Sequence, residues 1–133
     1  MMVYCDSVIL IYLLDFTGPL QARARARVAA RQSAGDVVAV SDLTRLECRV
    51  KPIRTGNMAS LAQFDALFAQ PHVRLVPLTA AVYDRATALR ATYNFKLADS
   101  LHLAAAIEAG CDLFLTNDGR LARCTDIAIE ILP

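Results

Sequence analysis

The stretch LADSLHLAAAIEAGCDLFLTND, residues 97–118, places an aspartate near each end of a strongly apolar segment. Between Asp99 and Gly110 the residues are mostly apolar, which is typical of a helix buried on most sides. Residues 112–116 follow as a short run of strand type, and Asp118 stands where the chain should turn. Burying a carboxylate without a partner is unfavourable, so both aspartates are candidates for a functional role.

The same alternation of helical and strand patterns extends along the whole chain. Short apolar runs predict strands at residues 2–5, 36–40, 72–76, 112–116 and 127–132. Longer patterns predict helices at residues 7–14, 20–33, 42–51, 57–69, 79–93, 98–109 and 118–123. Strands separated by helices favour right-handed parallel crossovers. The sequence therefore predicts an α/β fold, with residues 1–133 forming a single three-layer α/β/α domain around a central, mainly parallel sheet.

Composition narrows the class of protein. A chain of 133 residues that is 56% hydrophobic fits one domain with a sizeable core. The net charge of +1 neither indicates nor excludes a nucleic-acid partner. The run VILIYLL, residues 8–14, is far shorter than the roughly 20 residues that span a bilayer. The four cysteines lack the spacing of a zinc site, so we expect reduced, buried thiols in a cytoplasmic protein.

Two of the acidic residues follow predicted strands. Asp6 comes after the first strand and Asp118 after the fourth. Because ligands bind at the carboxyl ends of parallel strands, both carboxylates are expected at the same edge of the sheet. Each also has a structural explanation, since an aspartate before a helix or turn can accept a hydrogen bond from a backbone N–H.

A third acid, Glu47, falls in a predicted helix. At 100° per residue it lies at the edge of the apolar arc of Leu43, Leu46 and Val50, so we expect it to be turned partly toward the core. A capping box with Thr44 is the alternative explanation.

The fourth acid, Asp99, begins the buried helix. The helix dipole favours a carboxylate in the first turn, which is the structural alternative for this residue. His102 lies three residues further on, roughly on the same face. A metal-ligand role for His102 is open, but a hydrogen-bonded packing histidine is the favoured interpretation.

Together the four acids indicate a cation site. No lysine or arginine lies beside them on the apolar faces, and neighbouring carboxylates repel one another unless a cation intervenes. Carboxylate oxygens are the ligands of Mg²⁺ and Mn²⁺. The chemistry indicated is metal-assisted phosphoryl or phosphodiester transfer.

Three segments resemble the PIN-domain ribonucleases, and are most similar to the VapC-type toxins of bacterial toxin–antitoxin pairs. They are VYCDSVILIYLL (3–14), SDLTRLECRVKP (41–52) and FKLADSLHLAAAIEAGCDLFLTND (95–118). The resemblance implies a Mg²⁺-dependent endoribonuclease, with Mn²⁺ as a substitute, that hydrolyses RNA with a metal-activated water. It also implies a homodimer and a cognate antitoxin partner. The implied metal-binding and catalytic residues are Asp6, Glu47, Asp99 and Asp118.

Four further polar residues could orient the acids or a bound water. They can equally cap helices or close turns. They are Ser7, Ser41, Thr116 and Asn117. One departure from the family is Val8, which stands where the family often has asparagine.

Two basic clusters are candidates for contact with RNA phosphates. Arg23, Arg27 and Arg31 repeat at i, i+4 and i+8, and residues 45–54 carry a second cluster. Such side chains would neutralise phosphates without reading bases. A solvated helix face is the default interpretation of either cluster.

Two other functions compete with a ribonuclease. A non-catalytic PIN-like metal-binding or protein-interaction module is disfavoured because all four acids are present. A receiver-like phosphoacceptor domain would need a second acid beside Asp6 and an aspartate after a central strand. Ser7 and Ser41 occupy those positions.

Overall fold

A computed structural model of residues 1–133 contains one sheet of five strands. Every neighbouring pair is parallel and the order is β3-β2-β1-β4-β5, so the predicted mainly parallel sheet is wholly parallel. The central strand β1 lies between β2 and β4, with Cys5 beside Leu115. The strands are β1 (Met2–Cys5), β2 (Val37–Ser41), β3 (Val73–Val76), β4 (Leu113–Thr116) and β5 (Ala128–Ile131).

Six α-helices connect the strands, and each corresponds to a predicted helix. The segment predicted as a helix over residues 118–123 is a short 3₁₀ helix, Gly119–Arg123. The α-helices are α1 (Ser7–Asp15), α2 (Pro19–Ser33), α3 (Asp42–Thr55), α4 (Met58–Phe68), α5 (Ala80–Tyr93) and α6 (Leu97–Glu108).

Helix α3 extends beyond its predicted end at residue 51. It continues through Pro52 to Thr55, although a proline inside a helix removes one backbone hydrogen bond. The ring of Pro52 is buried, so packing offsets part of that loss. The helix ends at Gly56, whose φ of 69° is in the left-handed region that favours glycine.

The buried face of α3 also differs from the prediction. Leu46 and Val50, expected to face the core, are 59% and 40% exposed. The buried positions are instead Thr44, Cys48 and Pro52, at i, i+4 and i+8. The buried face of α3 is therefore rotated away from its most apolar face, and hydrophobic periodicity alone mispredicts the orientation of this helix.

The start of α3 explains this rotation. Ser41 ends β2 and is also the N-cap of the helix, and its backbone N–H donates to the Thr44 hydroxyl at 3.1 Å. The capping box therefore joins Ser41 to Thr44, and the predicted box between Thr44 and Glu47 is wrong. Because the strand leads directly into the helix, the junction sets which side faces the sheet.

Alternate strand residues face two separate cores. In β1, Val3 and Cys5 pack with residues of α1–α4, whereas Tyr4 packs with residues of α5 and α6. The same alternation places Leu115 and Phe114 of β4 on opposite faces. Helices thus cover both faces of the sheet, which confirms the three-layer α/β/α architecture.

Helix α6 is the most deeply buried helix, as its sequence predicts. Residues 100–106 are all buried, because the helix packs against both α5 and the sheet. All four cysteines are free and buried, as predicted. None of the helices combines the length and the apolar character that crossing a membrane requires.

Truncating α6 on its buried side should destabilise the fold. Leu103 is fully buried, so Leu103→Ala should lower the free energy of unfolding by about 2–5 kcal/mol through lost apolar burial and a residual cavity. Leu97→Ala in the same helix is the control, because Leu97 is 59% exposed and its truncation should cost about 0.5 kcal/mol or less. Urea unfolding of both variants measures the difference, and equal losses would contradict this account of the core.

Candidate active site

The four predicted acids line one open cavity at the carboxyl edge of the sheet. The cavity has a volume of about 660 Å³ and lies beside the ends of β1 and β4. Its wall also contains Ser7 and Asn117 and several apolar residues of α1 and α3. The structure therefore brings together residues that are 112 positions apart in the chain, from Asp6 to Asp118.

Asp6 is the most buried of the four acids, at 8% exposure. It precedes α1, but its side chain makes no capping hydrogen bond to that helix. Instead its Oδ2 accepts from the Thr116 hydroxyl at 2.7 Å. Burial raises the pKa of Asp6, while His102 and the bond from Thr116 oppose that shift and the charge of Glu47 adds to it.

Glu47 is half-buried in α3 and is held by two side chains. The Ser7 hydroxyl donates to its Oε1 at 2.7 Å, and Nε2 of His102 lies 2.5 Å from the same oxygen. Burial acts to raise the pKa of Glu47, but the hydrogen bonds from His102 and Ser7 outweigh it and hold the pKa below its ordinary value. The glutamate is thus kept ionised at the cavity wall.

Asp99 lies in the first turn of α6 and has no partner. No side chain donates a hydrogen bond to it or forms an ion pair with it, although it is partly buried. Burial raises its pKa, and the charges of Asp6 and Asp118 raise it further, against smaller opposing effects of Arg120 and His102. Asp99 is the acid whose charge the fold compensates least.

Asp118 has the capping role that its sequence position allows. Its side chain accepts from the backbone N–H of Arg120 at 3.0 Å, at the start of the 3₁₀ helix. The Arg120 guanidinium also binds the carboxylate, with Nη2 2.6 Å from Oδ2. The hydrogen bond from Arg120 holds the pKa of Asp118 below its ordinary value. The expectation that no basic residue lies beside the acids is therefore wrong at this position.

As the side chains stand, no three metal-binding residues converge on one point. Glu47 is held by His102, and Asp118 by Arg120. The donor set nevertheless suits a hard divalent cation, because Mg²⁺ takes one or two carboxylates and keeps several waters. Asp99 has no competing partner, and Glu47 uses only Oε1 in its hydrogen bonds.

Two of the four predicted supporting residues contact the acids directly. Ser7 donates to Glu47, as described above. Thr116 joins the ends of β1 and β4, because its hydroxyl donates to Asp6 and accepts from the backbone N–H of Asp118 at 3.1 Å.

The other two supporting residues contact no acid. Ser41 accepts a hydrogen bond from the Tyr4 hydroxyl at 2.9 Å in the buried core. Asn117 donates to the Tyr12 hydroxyl at 3.0 Å on the cavity wall. Asn117 therefore belongs to the cavity wall, whereas Ser41 belongs to the core.

His102 is a buried, hydrogen-bonded histidine, as its sequence context favours, and it also contacts the site. It is 2% exposed, and Nδ1 lies 2.7 Å from the Tyr4 hydroxyl. The contacts of His102 with Glu47 and of Arg120 with Asp118 are not evident from the sequence. His102 and Glu47 are 55 residues apart and meet only in the folded chain.

The arginine stripe on α2 is largely engaged in ion pairs. Arg27 and Arg31 both bind Glu130 of β5, with Arg27 Nε 2.7 Å from Oε1, and only Arg23 is left exposed. Contact of this stripe with RNA stays a prediction. On α3, Arg54 is exposed without an ion pair.

The arginines of α3 border the acidic cavity. A shallow groove that Arg45, Arg49 and Arg54 line shares Leu46 and Val50 with the cavity wall. Arg45 pairs with Asp42 and Arg49 with Asp65, and both are partly exposed. This basic surface is therefore continuous with the acidic site.

Comparison with known protein families identifies the fold. The PIN domain family matches residues 3–126, which is nearly the whole chain. The chain belongs to the PIN domain family. No curated protein sequence matches it.

Solved structures share the fold of this PIN domain at low sequence identity. VapBC2 from Rickettsia felis, bound to a DNA fragment from its promoter, has a TM-score of 0.83 and 14% identity, with 100% of both chains covered. VapC20 from Mycobacterium tuberculosis, described as a sarcin–ricin loop cleaving toxin, has a TM-score of 0.80 and 16% identity over 98% of this chain and 99% of that chain. A toxin–antitoxin complex from Klebsiella pneumoniae has a TM-score of 0.74 and 20% identity over 95% of each chain.

Removing the charge of Asp99 should not destabilise this PIN domain in metal-free buffer. A carboxyl whose pKa is raised on folding destabilises the folded protein at neutral pH, where the group is ionised. Asp99→Asn should therefore leave the melting temperature unchanged or raise it. A carboxylate that served only the helix dipole would predict a loss of about 0.3–1 kcal/mol. Thermal melts at pH 7 in EDTA separate the two, and a clear drop in melting temperature would favour the dipole role.

Proposed function

We propose that this PIN domain is a Mg²⁺-dependent endoribonuclease that acts as the toxin of a toxin–antitoxin pair. The observation that carries the proposal is the unpartnered Asp99 beside Asp6 and Glu47 in one open cavity. The structural similarity to a toxin described as cleaving the sarcin–ricin loop supports RNA as the substrate class.

Asp6, Glu47 and Asp99 would hold the cation, with Mn²⁺ as a substitute for Mg²⁺. A bound divalent cation supplies an activated water and stabilises negative charge on the phosphate. Asp118 would join the set on release from Arg120, an exposed residue whose ion pair with it is accessible to solvent. Thr116 and Ser7 orient Asp6 and Glu47 toward this role.

Histidine does not supply the base in this proposal. His102 is buried against Tyr4 and Glu47, and His72 is exposed just before β3, outside the cavity. The side chains therefore contribute positioning and charge, which are the largest sources of rate in phosphodiester chemistry.

A cognate antitoxin and a second copy of the chain are the proposed protein partners. Similar structures are toxin–antitoxin complexes, two of them bound to DNA. Leu46 and Val50 leave exposed apolar surface at the rim of the cavity, where a bound protein would also block access to the acids. Four reduced, buried cysteines suit a cytoplasmic location.

A non-catalytic PIN-like module that binds metal or protein is the second candidate. The ion pair between Arg120 and Asp118 favours it, because that pair compensates one of the four acids without a cation. The two candidates differ in whether RNA is hydrolysed once the cation is bound.

The purified protein should cleave RNA in the presence of Mg²⁺ or Mn²⁺, and cleavage should stop when EDTA is added. Asp99→Asn should lower the cleavage rate by at least about 100-fold, because it removes a carboxylate ligand. Asp84→Asn is the matched control, since Asp84 is exposed on α5 away from the cavity, and it should cleave at the wild-type rate.

Each failure of this experiment has a distinct meaning. Cleavage undiminished by EDTA would exclude the metal mechanism. Metal binding measured by calorimetry, without hydrolysis of total cellular RNA, would support the non-catalytic module. Near wild-type cleavage by Asp99→Asn would overturn the assignment of that residue.

The salt dependence of RNA binding can show which of the two basic surfaces, on α2 or on α3, contacts RNA. If α3 contacts RNA, Arg54→Ala should flatten the slope of log K against log salt by about 0.7–1 for a lost phosphate contact. Arg23→Ala tests the α2 stripe in the same way. Binding is measured in EDTA so that RNA stays intact, and a change confined to Arg23→Ala would assign the contact to α2.

A further inference from the structure

A buried hydrogen-bonded chain lies directly behind Glu47. Tyr4 and His102 are 0% and 2% exposed, and the Tyr4 hydroxyl lies 2.7 Å from Nδ1 of His102. Nε2, on the far side of the same ring, lies 2.5 Å from Oε1 of Glu47. The chain thus runs from the sheet core to the wall of the acidic cavity.

The orientation of the His102 ring is determined from several sides. The Tyr4 hydroxyl is itself held by Ser41, to which it donates, and the Tyr4 ring stacks on Phe114 with centroids 5.4 Å apart. A carboxylate oxygen only accepts, so Nε2 of His102 carries the hydrogen that faces Glu47. The ring cannot turn without breaking buried hydrogen bonds.

Both hydrogen bonds to Glu47 end on the same oxygen. Ser7 and His102 donate to Oε1, and neither donates to Oε2. The carboxylate is therefore anchored through Oε1, and its Oε2 accepts no side-chain hydrogen bond at a residue that lines the cavity. A glutamate on an exposed helix face would instead sample many rotamers.

We infer that His102, held by Tyr4, is a positioning residue that fixes Glu47 with Oε2 directed to the cation site. The inference rests on the proposed function, because it assigns Glu47 to cation binding. Partners that orient a metal ligand from behind commonly change metal affinity by 10–100-fold when they are removed. His102 itself touches neither cation nor substrate.

Two amide substitutions of different reach test this role. His102→Gln can place a donor nitrogen near the position of Nε2, whereas His102→Asn ends near the position of Nδ1 and cannot reach Glu47. We expect His102→Asn to weaken Mn²⁺ binding by about 10–100-fold and His102→Gln by only a few-fold. Electron paramagnetic resonance of free Mn²⁺ gives the affinity without any RNA, and thermal melts verify folding. His72→Asn, at the other, exposed histidine, is the control and should bind as wild type.

A double-mutant cycle separates positioning from general destabilisation. In a Glu47→Gln background, His102→Asn should cause no additional loss of Mn²⁺ affinity, because the carboxylate it orients is absent. If His102→Asn does not fold, Tyr4→Phe is the alternative variant. It keeps the aromatic stack on Phe114 but removes the hydroxyl that contacts Nδ1 of His102. It should weaken Mn²⁺ binding several-fold. Tyr93→Phe is its control, since the Tyr93 hydroxyl bonds Thr125 at an exposed position.

The outcomes distinguish the inference from the proposed function. A wild-type protein that binds no Mn²⁺ and cuts no RNA overturns the proposed function, and this role with it. Wild-type binding and cleavage with unchanged affinity in both His102 variants and in Tyr4→Phe overturns the positioning role alone. The positioning role would also be overturned if His102→Gln and His102→Asn lost equal Mn²⁺ affinity and if that loss added to the loss caused by Glu47→Gln.

Discussion

The parallel pairing of β1 with β4 is the constraint on which the site depends. Cys5 lies beside Leu115, so the chain leaves both strands at the same edge and brings Asp6 close to Thr116 and Asp118. The hydrogen bond from Thr116 to Asp6 then joins the two strand ends. Because the crossovers cover both faces with helices, α3 and α6 can each add one acid to that edge.

The negative charges of the four acids are compensated to different extents. Arg120 neutralises Asp118, and His102 with Ser7 holds Glu47 as an ion. Asp99 has no such partner, and burial with neighbouring charge raises its pKa. Burial and the charges of Asp6 and Asp118 disfavour the ionised form of Asp99, so a cation at this cavity would relieve an unfavourable interaction already present in the fold.

Helix α3 shows how one element serves the core and the site together. Its buried face of Thr44, Cys48 and Pro52 anchors it to the sheet, so its more apolar side chains remain at the surface. Glu47 lies between these two faces and is half-buried, with its charge held by buried donors. An apolar surface beside an acidic cavity is the arrangement expected where a protein partner and a charged ligand use neighbouring sites.

The sequence by itself determined the α/β class, the five strands, nearly all α-helix ends to within one residue and the edge at which the acids meet. These follow from local periodicity and from the rule that parallel strands share a carboxyl edge. The rotation of α3, its extension through Pro52 and the pairing of Arg120 with Asp118 were decided by the tertiary structure. So was the contact of His102 with Glu47, because residues 55 positions apart meet only when α3 and α6 pack at one end of β1. In α3, the sequence shows which residues are apolar, whereas the strand–helix junction at Ser41 decides which side of the helix is buried.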